Sequence, residues 1–576
     1  MHQTLKILNV FSYKEQVARS NSWGHHFLFL NILLAIFIGS VYVYAAPHTV
    51  SFISFIYLLI TWFGQMSFLA FLTYLIILFP ISFIGRYHLY RIISVIIACI
   101  AFIILLVDAK LFLSARVHIS ATVLSLIFGD LDFKTGLNYN FLWIAIPIVI
   151  GLELIFAKLS TREIYRSRLR NNYFPTIIAV FLTISFVASH SIHIWADATR
   201  HEDINILRPV FPAHYPMTAK SFLSNHGWIK TNTLSGVSTA DIAIRYPLEP
   251  LSIAELKPHR NMVMVFINGM SYSDLNAETM PNLYNLKQNS QSFENHYLPY
   301  NSLEDNDFAL TYGIPIQYRS TFKSKNIAPV IVDEMHRQEY LVRIISSNYD
   351  AQNSNFTGFR NINFDNLKSD SEAVDKACNY INSIDSDRRF ALNISLNSLC
   401  QNDLTEQKRA NILKNIDKEL QKLEETLNNS GRLNNTIILI TSSKGNSLLN
   451  DGSNIYNRLS QHVPLIIKRP DESIKGVNVE TLTSVYDIPA TFGKEVLGIS
   501  NETVNYSLGI SLKEPINRDF FVTTKGDKLL LVSSGFVTVY DNNGTSYIES
   551  GGRHLKIRPN LKNLIRAMQD LNRFKD

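Results

Sequence analysis

The sequence predicts a multi-domain fold, in which a membrane block of five α-helices precedes an α/β domain with a small antiparallel C-terminal subdomain. Apolar runs crowd the first 196 of the 576 residues, whereas Asn, Asp, Ser and Lys dominate the remainder. That split is typical of a membrane protein with a large water-soluble domain. In the second part strand and helix patterns alternate, which indicates an α/β sheet.

Each predicted span is close to the ~20 residues that a helix needs to cross a bilayer. Basic residues concentrate before the first span and in the loops that follow the second and fourth spans. The N-terminus is therefore predicted inside and the α/β domain outside, which is the periplasm in a bacterium. The predicted spans are Phe27–Ala46, Leu58–Ile84, Ile92–Val107, Phe141–Ala157 and Phe174–Trp195.

Ionisable residues occur in or near these spans. Asp108 and Glu153 lie near span ends, where we expect their side chains to reach water, and His190 and His193 approach the outer surface. Ordinary interfacial roles are the expectation for all four.

Composition excludes two classes of protein. The formal charge of +6 is small for this length, and much of it lies in short loops near the membrane, so nucleic acid is not predicted as a partner. Three cysteines cannot form a disulfide framework. Cys99 lies in a predicted span, so at most Cys378 and Cys400 could form a disulfide. The sequence does not indicate whether they do.

The second part predicts a mostly parallel sheet covered on both faces, whose carboxyl-terminal edge is where ligands are expected. Helical patterns cover Met280–Gln288 and Lys408–Asn428, and the final helix, Leu561–Phe574, is expected to pack on this domain. Alternating strands fill Phe520–Glu549, where Asn543-Gly544 predicts a tight turn. The predicted strands are Met262–Ile267, Leu341–Ser346, Leu392–Leu396, Ile437–Thr441 and Pro464–Lys468.

Three domains follow: membrane residues 1–196, a linker at 197–260, and an α/β domain at 261–576. The stretch His214–Gly227 joins the two large parts. Pro216 favours an extended start, and a helical pattern begins at Thr218. Lys220, with the hydroxyls of Thr218 and Ser221, suits the boundary between lipid headgroups and acyl chains. The alternative is a connector whose helix packs on the soluble domain.

Several motifs resemble known families. MPNLYNLKQNSQSFENHY (280–297) and SGRLNNTIILITSSKG (430–445) are similar to the sulfatase and alkaline-phosphatase-like superfamily. Together with five spans, SWGHHFLFLNILL near the start and YPMTAKSFL in the linker, they make the whole chain resemble the YejM/PbgA family. Those proteins belong to the inner membrane of Gram-negative bacteria, so a sulfatase-like periplasmic domain is implied.

Active superfamily members use divalent metal to activate a nucleophile and to bind oxyanions. By the resemblance, Ser302 occupies the nucleophile position, but carboxylate and imidazole ligands are replaced. We therefore expect a vestigial nucleophile and a catalytically inactive site, with no metal and no cofactor. Ser302, Lys444 and Arg458 are a candidate anion site, against a solvated charge cluster as the alternative. The degenerate metal positions are Asn268, Ser443, Lys444, Arg458 and Ser460.

The resemblance implies a lipopolysaccharide sensor that regulates lipopolysaccharide synthesis. The implied output runs through lipopolysaccharide assembly protein B, bound by the membrane helices, and a membrane AAA protease that degrades the committed-step deacetylase. Ser221 stands where enterobacterial relatives tend to have a second basic residue. Two alternatives stay open: a metal-dependent lipid phosphatase or phosphotransferase with Ser302 as nucleophile, and cardiolipin binding or transport toward the outer membrane. The implied lipid A site is Tyr215, Pro216, Met217, Thr218, Ala219, Lys220 and Phe222.

Overall fold

The computed structural model divides the chain into two compact units. The first comprises Met1–Ile244 and Asn560–Asp576, and the second comprises Arg245–Pro559. The chain thus leaves the first unit once and returns to it near the end. The structure describes residues 13–47, 51–120, 123–124, 140–167, 174–199, 201–205, 207–217, 244–255, 259–348, 362–401, 404–470, 475–541, 545–557 and 559–575.

Five long helices form most of the first unit, and all five are long and apolar enough, among the described residues, to cross a membrane. Their outward faces carry large apolar side chains such as Phe37 and Trp143. A helix that is apolar on every side is expected where lipid replaces water. The helices are α1 (Tyr13–Tyr44), α2 (Phe52–Thr73, continued by turns to Ser82), α3 (Tyr87–Ala115), α4 (Leu142–Ser167) and α5 (Phe174–Thr199).

Polar contacts join these helices inside the bundle. The hydroxyls of Thr61 on α2 and Ser189 on α5 lie 2.8 Å apart. The buried indole of Trp23 donates to the carbonyl oxygen of Ala157 at 3.3 Å, linking α1 to α4. Hydrogen bonds of this kind satisfy polar groups that lipid cannot solvate.

The C-terminal helix differs from the expectation that it packs on the α/β domain. This helix, α13 (Leu561–Asn572), belongs to the first unit, where the Gln569 Nε2 donates to the carbonyl oxygen of Ser114 at 2.9 Å. Ser114 lies in the last turn of α3, whose final carbonyls have no partner within their own helix. The side-chain amide therefore supplies a donor that the helix end needs.

The second unit contains an eight-stranded sheet in the order β4-β3-β5-β1-β6-β7-β2-β8. All neighbouring pairs are parallel except those of β7, which runs antiparallel to β6 and β2. The strands are β1 (Asn261–Ile267), β2 (Gln291–Tyr297), β3 (Leu341–Ser347), β4 (Asn363–Leu367), β5 (Phe390–Leu396), β6 (Thr436–Thr441), β7 (Leu465–Lys468) and β8 (Asn478–Ser484).

Helices cover both faces of this sheet, and alternate residues of β1 belong to two different apolar clusters. Val263 and Val265 enter one cluster, whereas Met262 and Phe266 enter the other. Such burial on both faces explains why the central strands are continuous apolar runs. The helices are α6 (Pro281–Gln288), α7 (Leu303–Tyr312), α8 (Arg319–Lys325), α9 (Val330–Arg337), α10 (Asp370–Ser383), α11 (Glu406–Asn429) and α12 (Asp487–Glu495).

A separate five-stranded antiparallel sheet has the order β13-β12-β11-β10-β9, which confirms the predicted C-terminal subdomain. Leu530 of β10 pairs with Thr523 of β9 and with Val539 of β11. The Asn543-Gly544 turn lies outside the described residues. The strands are β9 (Phe521–Lys525), β10 (Lys528–Val532), β11 (Val537–Tyr540), β12 (Ser546–Ser550) and β13 (Arg553–Leu555).

The fold class predicted from the sequence is confirmed. The central strands lie where the apolar runs placed them, but β2, β4 and β8 were not predicted because their sequences are polar. All three cysteines are free, so Cys378 and Cys400 are not joined.

Candidate functional site

The connector, which we define as residues 207–217, follows α5 and leads into the linker motif. Its last six residues alternate strictly between buried and exposed side chains, the period of an extended chain that lies on a surface. Leu207, Val210 and Phe211 are also buried. The buried members of the alternation are Pro212, His214 and Pro216, and the exposed members are Ala213, Tyr215 and Met217.

His214 is one attachment of the connector to the helices. Its Nδ1 lies 3.3 Å from Gln65 Oε1, and its Nε2 lies 3.3 Å from the hydroxyl of Tyr57. A neutral imidazole satisfies both contacts, by donating to Gln65 and accepting from Tyr57. The Gln65 Nε2 in turn donates to the carbonyl oxygen of Pro212 at 3.0 Å.

The environment of His214 favours this neutral form. The side chain is 6% exposed. Burial is the main cause that lowers its pKa to about 3, and the neighbouring His190, His193 and Arg208 contribute to the same lowering. The imidazole therefore acts as a hydrogen-bonding bracket rather than as a charge.

Asp108 forms a second attachment. Its carboxylate accepts from the Tyr42 hydroxyl at 2.7 Å and from the backbone amide of Ile119 at 2.6 Å, and it lies 2.7 Å from His118 Nδ1. His118 Nε2 lies 2.9 Å from the carbonyl oxygen of Pro209. Both ring nitrogens face acceptors, an arrangement that an imidazolium satisfies fully. This network ties the connector to α1 and α3.

The expectation that Asp108 and Glu153 reach water is wrong. Asp108 is 3% exposed because a ready set of donors surrounds it, and Glu153 is fully buried inside the bundle. Sequence reasoning missed the brackets formed by Tyr57, Gln65 and His118, since no local pattern marks residues that meet only after folding.

The first residues of the predicted lipid motif lie at the end of the connector, next to His214. Tyr215 is 78% exposed and Met217 is 69% exposed, whereas Pro216 between them is buried. The remaining predicted motif residues, Thr218, Ala219, Lys220 and Phe222, lie outside the described residues. The described part of the motif therefore presents one aromatic and one thioether side chain away from the protein.

The second candidate site lies at the carboxyl-terminal edge of the central strands. Asn268, directly after β1, donates from Nδ2 to Asn397 Oδ1 at 2.8 Å and to Ser395 Oγ at 3.0 Å. Its Oδ1 accepts from the backbone amide of Ser443 at 2.8 Å. One amide thus joins the ends of β1, β5 and β6, a task that needs a donor and an acceptor. An ionised carboxylate has no donor for it.

Ser302, the predicted vestigial nucleophile, is the N-cap of α7. Its Oγ accepts from the backbone amide of Asp305 at 3.3 Å. The acids that follow are paired with a cation, because Arg319 lies 3.0 Å from Glu304 and 2.7 Å from Asp305. The serine and its neighbours therefore have structural partners.

The substituted positions between β6 and β7 have different partners. The Arg458 guanidinium donates to the carbonyl oxygens of Ser533, at 2.6 Å, and Ser534, and it lies 4.5 Å from the centre of the Tyr297 ring. Ser460 lies on the same short helix, with its backbone amide donating to Asn457 at 3.1 Å. Lys444 instead lines a cavity whose described lining includes neither Ser302 nor Arg458. The anion site expected from these three residues is not assembled, because Arg458 is held by the C-terminal subdomain.

The residues at this edge do not fit a divalent metal. Asn268, Ser443 and Ser460 are neutral, and Lys444 and Arg458 are cations, so the set lacks the carboxylates and imidazoles that such metals prefer. Within the described ranges no group of three His, Cys, Asp or Glu side chains is placed to hold a metal.

His462, the histidine closest in sequence to these positions, is held as a packing group. Its ring stacks between Tyr272 and Tyr297, with centroids 4.4 and 4.7 Å away. Its Nε2 lies 2.7 Å from the carbonyl oxygen of Glu294. Burial lowers the pKa of this imidazole.

Comparison with known sequences gives a family match and several relatives. A family model described as a domain of unknown function (DUF3413) matches residues 10–253. The inner membrane protein YejM of Salmonella typhimurium is 27% identical over 583 aligned positions, which cover 98% of each chain. The resemblance to this family is confirmed. An uncharacterized protein of Haemophilus influenzae is 28% identical, over 94% of this chain and 92% of its own.

Two of the solved structures that are similar to part of this chain are as follows. One is a protein of the alkaline phosphatase superfamily from Vibrio parahaemolyticus, with a TM-score of 0.46, 15% identity, and coverage of 59% of this chain and 91% of the other. The second is the lipoteichoic acid synthase LtaP of Listeria monocytogenes, with a TM-score of 0.45, 11% identity, and coverage of 56% and 94%.

Proposed function

We propose that this chain is an inner-membrane lipopolysaccharide sensor that binds lipid A at the connector and motif, and that regulates lipopolysaccharide synthesis without catalysing a reaction. The observation that carries the proposal is the connector itself. It is bracketed onto the helices by His214 and Asp108, while Tyr215 and Met217 are exposed. A rigid support with exposed apolar side chains suits a lipid whose headgroup stays at the interface.

The chemistry of the motif supports a phosphorylated glycolipid. Tyr215 combines an apolar ring with a hydroxyl, which suits the headgroup boundary, and Met217 adapts its shape to acyl chains. Lys220 and Thr218 add one cation and one hydroxyl within three residues of Met217. A phosphate held by one lysine and several amides gains about 1.5–3 kcal/mol for each charge-assisted hydrogen bond.

The location follows from the relatives and the loop charges. The Salmonella relatives are named inner membrane proteins and match this chain over 98% of its length. Five candidate spans agree with that location. The basic loops favour a cytoplasmic N-terminus and a periplasmic second unit, which puts the connector at the periplasmic face.

The output is proposed to run through the membrane helices. Their lipid-facing surfaces carry exposed apolar side chains along α2, α4 and α5. Such faces fit the transmembrane helices of a partner such as lipopolysaccharide assembly protein B. The partner would then control the protease that degrades the committed-step deacetylase.

The second unit is proposed to be a pseudoenzyme. The side-chain amide of Asn268 forms hydrogen bonds that join the ends of three strands. Ser302 caps a helix, and Arg458 donates to two carbonyl oxygens. These contacts support a structural role for positions that would carry metal and nucleophile in an active relative.

Lys220→Asp in the full-length protein tests the lipid proposal. We expect less lipopolysaccharide to copurify in detergent, and a raised deacetylase level in cells. The matched control is Lys158→Asp, the same charge reversal on the exposed surface of α4, at the predicted cytoplasmic end. Unchanged copurification and unchanged deacetylase in Lys220→Asp would refute the proposal.

The alternatives give different results in the same preparation. A lipid phosphatase would contain a stoichiometric divalent metal and would lose activity on Ser302→Ala. A cardiolipin transporter would copurify cardiolipin in place of lipopolysaccharide, and its loss would lower outer-membrane cardiolipin at constant deacetylase.

A further inference from the structure

A polar cavity of about 590 Å³ lies in the second unit, among α6, α11 and the strands β2, β6 and β7. β2 begins here at Gln291, and β6 begins shortly after Asn434. β6 is parallel to β1, and β2 has the same direction because β7 is antiparallel to both. The cavity therefore lies at the amino-terminal edge of these strands, opposite to the edge that carries Asn268 and Ser302.

Side-chain amides are the most frequent polar groups of the described lining. They include three positions of α6 and its end, at a spacing of three and four residues, and two positions of α11 that are seven residues apart. Such spacings put the amides of each helix on one face. The amides used below are Asn282, Asn285, Asn289, Gln421, Asn428 and Asn434.

Hydrogen bonds between α6 and α11 fix the wall of this cavity. The Asp417 carboxylate on α11 accepts from the backbone amides of Asn282, at 3.1 Å, and Leu283, at 2.8 Å. It also accepts from the Asn282 Nδ2 at 2.9 Å. Backbone amides in the first turn have no partner within their own helix, so this carboxylate holds the start of α6. The two faces that carry the amides are thus placed before a ligand binds, which lowers the entropy cost of binding.

Contacts within each helix orient several amides at one end only. The Asn289 Nδ2 donates to the backbone carbonyl oxygen of Asn285 at 3.0 Å and to its Oδ1 at 3.1 Å. The Gln421 Nε2 donates to Glu425 Oε1 at 2.9 Å. The carbonyl oxygens of Asn289 and Gln421, and the Nδ2 of Asn285, form no hydrogen bond with any residue that the structure describes. The lining therefore offers acceptors and donors side by side.

The ionised side chains of the described lining balance one another. Lys468 pairs with Glu424 at 2.5 Å, and the buried guanidinium of Arg469 pairs with Glu495 at 2.7 Å. A balanced lining does not concentrate ions of either sign, so it favours a neutral ligand. The other charged lining residues, one of each sign, are Lys475 and Glu425.

We infer that this cavity binds a neutral saccharide through its side-chain amides. Each sugar hydroxyl donates and accepts, as each amide does, and two neighbouring hydroxyls of a ring bind the oxygen and the nitrogen of one amide. An apolar ligand would leave these polar groups unpaired. The connector and the substituted positions after β1 and β6 are not among the lining residues, so this site is independent of the proposed function.

Calorimetric titration of the full-length protein with maltotriose, cellotriose and chitotriose tests the inference. Nanodiscs of phosphatidylcholine carry no sugar and so replace detergents with sugar headgroups. We expect at least one trisaccharide to bind. The double variant Gln421→Ala/Asn428→Ala should weaken that binding about tenfold or more, the fold-change for losing two neutral hydrogen bonds.

The matched control is Gln407→Ala/Asn415→Ala, which makes the same two changes at exposed positions of α11 outside the cavity. It should bind like the wild type. Asn434→Ala, before β6, leaves α11 unchanged and should weaken binding several-fold. Equal melting temperatures of the variants separate lost binding from lost folding.

Ionic strength distinguishes amide recognition from ionic recognition. Because neutral groups carry the binding, added sodium chloride should leave the affinity unchanged. Binding that disappears in salt would overturn the inference. So would equal binding by the wild type, Gln421→Ala/Asn428→Ala and Asn434→Ala, or absence of binding by all three trisaccharides.

Discussion

The connector and the carboxyl-terminal edge of the sheet bury polar side chains in opposite ways. At the connector, His214 contacts Gln65 and Tyr57 of α2, and Asp108 of α3 contacts Tyr42 and His118. The side chains of Tyr215 and Met217 beside them are exposed. At the sheet edge, Asn268 forms hydrogen bonds with the side chains of Asn397 and Ser395 and with the backbone amide of Ser443, and Ser302 accepts from the backbone amide of Asp305. The first arrangement fixes a short segment against the helices and leaves two side chains exposed, whereas the second uses its polar groups for contacts within the domain.

The largest expected effect breaks the connector's second bracket. Asp108→Ala leaves the Tyr42 hydroxyl, His118 and the Ile119 amide without their acceptor. A buried donor left without its acceptor costs about 1–3 kcal/mol. Thermal unfolding of the full-length protein in detergent should show a much lower melting temperature. Asp203→Ala, at a less buried position beside the connector, is the control. Similar melting temperatures for the two variants would contradict the bracket.

Asn268→Asp tests the sheet edge with the residue that an active relative would need. The variant loses the donor to Asn397 and Ser395 and sets a carboxylate against the Asn397 oxygen. An unsatisfied buried group costs about 1–3 kcal/mol, and more when it is charged. Denaturant unfolding should show the loss, and elemental analysis should find no divalent metal. A stabilised variant that gains zinc or magnesium would contradict the conclusion that this edge does not fit a divalent metal. Asn285→Asp on α6 is the exposed control.

The pH dependence of the connector follows from His214. Its folded pKa of about 3 lies below the ordinary value of 6.5, so the folded state holds the neutral imidazole. The stability from this neutral contact is complete above pH 6.5 and is lost progressively as the pH falls toward 3. Between pH 7.5 and 5 the loss is on the order of 2 kcal/mol at most. Melting temperatures at the two pH values should differ more for the wild type than for His214→Gln, and equal differences would remove His214 as the cause.

The smallest expected effect concerns Ser302. Ser302→Ala removes an N-cap and should cost about 1 kcal/mol of stability. Ser302→Asp keeps a capping acceptor but removes the hydroxyl nucleophile, so its stability should be close to that of the wild type. Lipopolysaccharide copurification should be the same in all three proteins. Loss of function in both variants at normal stability would indicate that the hydroxyl has a chemical role.

Long periodic segments were predictable from the sequence. The five spans and the central strands depend on apolar runs, which report directly on lipid or sheet burial. The polar strand Gln291–Tyr297 was not predictable, because its hydrogen bonds to β7 and β8 define it more than its side chains do. The unit against which the helix Leu561–Asn572 packs was also not predictable, because an amphipathic pattern does not specify the surface that the helix covers.

The residues of the candidate sites divide in the same way. The expectation that Asn268 and Lys444 replace metal ligands comes from residue type alone, because a neutral amide and an ammonium are poor ligands in any environment. The residue types do not indicate which of the two cations is held by other groups of the protein. Arg458 and Lys444 look alike in sequence, yet one binds the carbonyl oxygens of Ser533 and Ser534 and the other lines a cavity.

By itself, the sequence determined that this protein has five apolar helices and a buried α/β sheet. Those properties depend on side-chain chemistry and short-range periodicity. Only the tertiary structure decided that His214 and Asp108 bracket the connector, and that the C-terminal helix returns to the first unit. Both depend on contacts between residues that are far apart in the chain, such as Gln65 with His214 and Ser114 with Gln569.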